Sequence, residues 1–174
     1  MSGPVKIQVV ADTDVGKVRT INEDNFILCS DLNNKVWSKD SFNTEVSEMG
    51  TVLLVADGMG GAVAGEEASR IAIESISEFL SKKLIHDQTE VQIIEILNAA
   101  LIHGHEQICN KVRQNAEFFG MGTTATICYI KNNKLFLSWV GDSRVYRYSS
   151  EGRITNHSYA SGDLEILSSD HSHV

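Results

Sequence analysis

The chain has one proline in 174 residues, at position 4, and only three cysteines. No proline-rich or low-complexity linker divides it, so a single domain is expected over residues 1–174. Cys29, Cys109 and Cys128 are odd in number, far apart and set in apolar stretches. They read as reduced core thiols, not as a disulfide framework. No CxxC pair is present, which excludes a zinc ribbon. No apolar run approaches the roughly 20 residues of a membrane helix, and no apolar signal core follows Met1–Lys6. The expected location is therefore cytoplasmic, with no membrane partner. Basic residues are also scarce, 15 Lys and Arg against 23 Asp and Glu, for a net charge of −8. A nucleic-acid binder would want the opposite balance. Two nucleotide-binding signatures fail on single positions. Gly58-Met59-Gly60 would need glycine at 63 for the dinucleotide fingerprint, where Val63 stands, and no Gly-Lys-Ser/Thr follows to make a P-loop.

What remains is a globular composition, 42% hydrophobic and 22% charged. A compact fold of this length buries roughly 70% of its unfolded surface, enough for a real core. The acidic excess serves solubility or marks a site for hard cations. Val5–Val10 and Phe26–Cys29 alternate as strands, residues 31–50 read as a loop or loose hairpin, and Thr51–Ala56 reads as a buried central strand. Apolar residues then recur every three or four positions at Ala64, Ala68, Ile71, Ala72, Ile76, Phe79, Leu80 and Leu84, the face of one helix. Thr89 to Gln92 has the form of a capping box, and Val91, Ile94, Leu97, Leu101, Ile108 and Val112 continue a second helical stripe. The two helices are expected to lie antiparallel on one face of a sheet. From Thr123 the period returns to two, over 123–130, 134–140 and 144–149, which predicts an antiparallel meander. A polar loop over 153–163 and a short last strand at Leu164–Leu167 complete an α+β order.

Three acidic segments carry possible chemistry. In Val55-Ala56-Asp57-Gly58-Met59-Gly60-Gly61 a carboxylate leaves an apolar strand beside three glycines, which let backbone approach whatever the carboxylate holds. A glycine turn with Asp57 as a capping residue fits equally well. In Arg19-Thr20-Ile21-Asn22-Glu23-Asp24-Asn25 two adjacent carboxylates call for a cation, and Arg19 offers a planar fork for phosphate oxygens. A solvated loop with a local ion pair is the alternative. Gly141-Asp142-Ser143-Arg144 is a third acidic point, or an ordinary turn.

Taken together and in order, these segments resemble the type-2C metal-dependent protein serine/threonine phosphatases, in their bacterial-like DGMGG form. The pieces are GKVRTINED from Gly16 to Asp24, VADGMGGAVAGEEAS from Val55 to Ser69, GMGTT from Gly120 to Thr124, VGDSR from Val140 to Arg144 and SDHS from Ser169 to Ser172. The resemblance implies an αββα sandwich, two antiparallel β-sheets flanked by helix pairs, with two Mn²⁺ or Mg²⁺ ions, or three, at one end. Asp57 would bridge both metals and the Gly58 carbonyl would bind one of them. Glu23 and Asp24 would hold metal-bound waters or support the site, Asp142 would serve a third metal position, and Arg19 would grip the substrate phosphate. Catalysis would be direct in-line attack on phosphoserine or phosphothreonine by a dimetal-bound hydroxide, with no phosphoenzyme and no nucleophilic cysteine. The expected partner is a phosphoprotein, opposing a serine/threonine kinase.

Two departures qualify this. Where some family members carry a histidine after the DG pair, Met59 stands, and it cannot donate a proton to the leaving oxygen. The family's domains also run well past the DHS motif, with two more metal aspartates, whereas this chain ends at Val174. The domain is thus expected to be incomplete at its C-terminal end, with edges open to oligomerisation, and a catalytically weak or inactive phosphatase-like binding module is the alternative function. His103 and His105 point about 200° apart on a helix and are not expected to share a metal. His171 is expected to serve its turn structurally, and Trp37, Phe136, Trp139 and Tyr146 to lie in the core or on a sheet surface.

Overall fold

The structure is a computed structural model that describes residues 5–149 and 163–171. Its main sheet is antiparallel in the order β3 (Val36–Ser38), β2 (Asp24–Asp31), β5 (Thr51–Met59), β7 (Ala125–Lys131), β8 (Lys134–Val140), and the short β6 (Gly122–Thr123) also pairs with β5. Helices α1 (Ala62–Lys83) and α2 (Glu90–Gln114) pack on each other and on one face of this sheet. Two smaller ladders stand apart: β1 (Lys6–Val9) pairs with β4 (Phe42–Glu45), and β9 (Tyr146–Ser149) pairs with β10 (Asp163–Ile166). The class is α+β as the sequence implies, and the helix pair lies on one face as expected.

The central strand explains the layering. On β5 the even positions Val52, Leu54 and Ala56 are buried, together with Ala68, Ala72, Ile76 and Leu80 of α1 and Leu97 of α2. The odd positions face the other way, and Val55 there is 44% exposed. Close approach between α1 and the sheet is set by glycine. A Cβ on Gly58 would lie 2.0 Å from the Gly65 carbonyl oxygen, so only two facing glycines admit this spacing. Thr89 caps α2 through the predicted reciprocal box with Gln92.

Several expectations are corrected. The stretch 31–50 holds two strands, β3 and β4, because Val36–Ser38 completes the β2 edge and Phe42–Glu45 finds a partner in β1. The central strand runs on to Met59, so Asp57 sits inside it, and β2 likewise begins at Asp24. The α2 stripe is displaced: Ile93, Leu97, Ala100, Gly104 and Ile108 are buried, while Val91 is 68% exposed. Gly104 lies in that stripe, where a Cβ would come to 3.0 Å from Ile76 of α1, marking a close approach of the two helices. The 144–149 segment does not extend the meander. It leaves β8 at the Gly141 turn and pairs with β10 over Tyr146–Ser149. Cys29 is buried, while Cys128 and Cys109 are half-buried; burial pushes the Cys29 and Cys128 thiols up to about 12 and about 11, and Cys109 lies 3.4 Å from His105 Nε2. The turn at 150–152, nearly all of the polar loop over 153–163, and Ser172 and His173 lie outside the described residues.

Candidate metal and phosphate site

The β2–β5 register places Asp24 directly opposite Asp57. Cross-strand partners share a face of the sheet, so both carboxylates project from the face opposite the helices. Like charges so placed destabilise one another unless something positive lies between them. The Asp57 carboxyl is accordingly raised above its ordinary value. Partial burial is the largest cause, followed by the charge and hydrogen bond of Asp24 and then by the charges of Asp142 and Glu23. The charges of the other three carboxylates that the sequence singles out thus all bear on Asp57. Asp57, Glu23 and Asp24 share a small cleft of about 190 Å³ with Arg19, Asn22 and Gly58. Asp142 approaches Asp57 from the β8 turn and is not part of the cleft wall.

Glu23 is the most enclosed of these acids, at 8% exposure. Its Oε1 accepts from Arg19 Nη1 at 2.6 Å, and its backbone carbonyl accepts from the Gly58 N–H at 3.2 Å. Its other carboxylate oxygen fills the place where a Gly65 Cβ would stand, 2.1 Å away. The glycines of VADGMGGAVAGEEAS thus make room for the Glu23 carboxylate as well as for the backbone. Arg19 is 69% exposed. It is both the ion-pair partner of Glu23 and part of the cleft wall.

The donors offered are carboxylate and carbonyl oxygens, the set that hard divalent cations prefer. Among the described residues, no three His, Cys, Asp or Glu side chains close around a single point. Glu23, Asp24, Asp57 and the Gly58 carbonyl therefore suit part of a coordination shell. His103 and His105 have different neighbours: the His103 ring lies tilted against Phe79 with centroids 5.1 Å apart, and His105 turns to Cys109. His171 serves its turn, with its ring stacked on Trp139 at 5.9 Å and its N–H on the Gly141 carbonyl at 2.9 Å.

Sequence reasoning missed the residues that hold Asp57 in place. The Asp57 N–H donates to Thr124 Oγ1 at 2.9 Å, the Thr124 N–H donates to the Asp57 carbonyl at 2.9 Å, and Thr123 Oγ1 donates to that same carbonyl at 2.9 Å. The GMGTT segment was the signal, but its role depends on a cross-strand partner 67 residues away. A larger cavity, about 880 Å³, lies elsewhere between α2 and residues 119–123 and is lined mainly by apolar side chains, Met59 among them. None of its described lining residues is a carboxylate, whereas the smaller cleft holds Glu23, Asp24 and Asp57.

Comparison with known proteins gives consistent matches. The family model described as Protein phosphatase 2C matches residues 29–163. Over 140 residues the chain is 31% identical to the serine/threonine protein phosphatase PstP of Mycobacterium tuberculosis, covering 80% of this chain and 22% of that protein. Over 168 residues it is 30% identical to the protein phosphatase PhpP of Streptococcus pneumoniae, covering 93% and 54%. Among solved structures, the catalytic domain of PstP in complex with 2 manganese ions aligns at a TM-score of 0.60 and 26% identity, over 95% of this chain and 54% of that one. Stp1 from Staphylococcus aureus shares the fold at a TM-score of 0.69, over 98% of this chain and 55% of that one. The chain spans about half, or less, of the length of these curated relatives.

Proposed function

The chain belongs to the protein phosphatase 2C family, and from that premise we propose that it carries part of the active site of a metal-dependent serine/threonine protein phosphatase. The observation that supports this most is the cleft that Asp57, Asp24 and Glu23 share with the Gly58 backbone and the Arg19 side chain. Asp57, Asp24, Glu23 and the Gly58 carbonyl hold Mn²⁺ or Mg²⁺, two ions in the complete site, and Asp142 serves a third position. Such cations supply the charge that offsets the crowded carboxylates and the Lewis acidity that activates water for attack on phosphorus.

The chain's own residues do the positioning. Arg19 binds the phosphate of a phosphoserine or phosphothreonine side chain: Glu23 takes one of its five guanidinium donors, and the rest of the fork serves the phosphate oxygens. Glu23 fixes Arg19 in turn, because its own carboxylate is enclosed against α1. Met59, next to Gly58, has no proton to give, so protonation of the leaving alcohol falls to another group. The substrate is a phosphoprotein, and the enzyme opposes a serine/threonine kinase in the cytoplasm. No helix among the described residues is long and apolar enough to cross a membrane.

One observation favours a second reading, a phosphatase-like module that binds phosphoproteins without turnover: no three ligating side chains close around one point among the described residues. One assay separates the two. Phosphate release from a phosphothreonine peptide is measured with the 174-residue chain and its Asp57→Asn variant, each with and without Mn²⁺. Mn²⁺-dependent release that disappears in the variant would support the phosphatase reading. Peptide binding with no Mn²⁺-dependent release by either chain would establish the second reading.

A further inference from the structure

Asp57 is held by a side chain where the sheet itself lapses. β7 pairs with β5 from Thr51 to Val55, and β6 pairs with it at Gly58 and Met59. Thr124 falls in the gap between these ladders. There its hydroxyl stands in for the missing main-chain acceptor, taking the Asp57 N–H at 2.9 Å. Thr124 is 2% exposed, so this bond has little competition from water.

The same hydroxyl has a second partner. It lies 2.8 Å from Ser143 Oγ, and Ser143 directly follows Asp142. A hydroxyl has one proton and two lone pairs, so Thr124 Oγ1 can accept from Asp57 and still donate to, or accept from, Ser143. Gly141, on the other side of Asp142, packs so closely that a Cβ there would come within 2.6 Å of Thr124 Cγ2. From outside, the His171 N–H holds the Gly141 carbonyl, and Asp170 holds Arg144 through two hydrogen bonds of 2.9 and 2.5 Å. The Asp142 turn is therefore pinned on both sides, and its inner pin is the atom that holds Asp57.

We propose that Thr124 and Ser143 are positioning residues whose shared hydrogen bond sets the spacing between Asp57 and Asp142, and with it the affinity of the site for a divalent cation. The inference rests on the metal-site reading above, and it adds a link between the DGMGG strand and the GDSR turn that acts through neither residue's own carboxylate. Groups that orient metal ligands change affinity by about 10- to 100-fold when removed. Thr124→Val keeps the shape and deletes both bonds. Ser143→Ala cuts only the outer one, and Thr124→Ser restores a hydroxyl.

The test uses Mn²⁺ alone as probe, titrated calorimetrically into the 174-residue chain and these variants, with amide hydrogen exchange and amide chemical shifts followed at Asp57 and Asp142. Thr124→Val and Ser143→Ala are expected to bind Mn²⁺ about 10- to 100-fold more weakly at an unchanged fold, and Thr124→Ser to bind close to the parent. The Asp57 amide is expected to exchange faster in Thr124→Val, and the Asp142 amide to shift in both weakened variants. If the parent binds Mn²⁺ and Thr124→Val and Ser143→Ala bind it equally well, the proposal is overturned while the metal-site reading stands. Should the parent bind no Mn²⁺, that reading fails first, and an Asp142 amide unmoved by Thr124→Val then overturns the link as well. Should Thr124→Val not fold, Ser143→Ala decides by the same measurements.

Discussion

Replacing Gly58 by alanine probes the contact on which the site is built. The new Cβ would lie 2.0 Å from the Gly65 carbonyl oxygen and 2.8 Å from the Glu23 carbonyl oxygen, both of them backbone atoms. A carbon meets such an oxygen comfortably at about 3.3 Å, so the first turn of α1 must retreat from β5 by about 1.3 Å. Neither side yields easily, because Ala68 and Ala72 on the next turns are already buried in the core. Overpacking of this kind destabilises by about 1–3 kcal/mol, and removing a glycine from a strand returns about 0.5–1 kcal/mol. With backbone on both sides the upper end of the penalty applies, for a net loss of about 2 kcal/mol. In a domain of this size that lowers the melting temperature by about 4–8 °C. The assay is a thermal melt of the metal-free chain, with Gly16→Ala as reference. Gly16 has φ +74° but nothing within 4 Å, so it carries only the left-handed penalty of about 1 kcal/mol. If Gly58→Ala melts within a degree of the parent, glycine-set packing is not what fixes α1 against the site.

Two further outcomes follow from particular side chains. Arg70, reinforced by Lys111 across the helix pair, holds the Glu67 carboxyl down at about 2 from an ordinary 4.5. A carboxyl depressed in the folded state stabilises above its unfolded value and loses that contribution as pH falls through the folded one. Glu67→Gln should therefore reduce stability by about 1.5 kcal/mol at neutral pH, a low figure because Arg70 is 45% exposed. Denaturant titrations of the two chains should converge as pH drops from 4.5 toward 2, and a constant gap would contradict the assignment. Thr126 Oγ1 is buried with no hydrogen-bond partner among the described residues, so Thr126→Val should leave stability unchanged or raise it by up to about 1 kcal/mol. A loss above that figure in the same denaturant assay would show that the hydroxyl has a partner.

The sequence makes the fold legible where one physical signal dominates. The central apolar strand, the α1 stripe and the Thr89–Gln92 capping box are all patterns that local spacing encodes. It fails where an element depends on a distant partner. β3 and β4 are too short and polar to declare themselves, and they exist because β2 and β1 present open edges to them. The meander reading fails at Gly141, whose φ of +101° turns the chain away toward a pairing with β10 that no local period foretells. Of the candidate site, Glu23, Asp24, Asp57, Gly58 and Asp142 stand out in the sequence as acidic or glycine-rich motifs, and Arg19 as the basic residue beside them. Their arrangement is not local: the register that sets Asp24 against Asp57 and the hydroxyl of Thr124 that holds Asp57 are properties of the assembled sheet.

The central claim is that the carboxylates around Asp57 are arranged to hold a divalent cation. Calorimetric titration of Mn²⁺ into the parent chain and into Asp57→Asn at neutral pH tests it most directly. The account predicts saturable binding by the parent and at least a ten-fold loss in the variant, from removal of the carboxylate that faces Asp24 across the β2–β5 register and shares the cleft with Glu23. Binding of equal strength by both chains, or by neither, would contradict it.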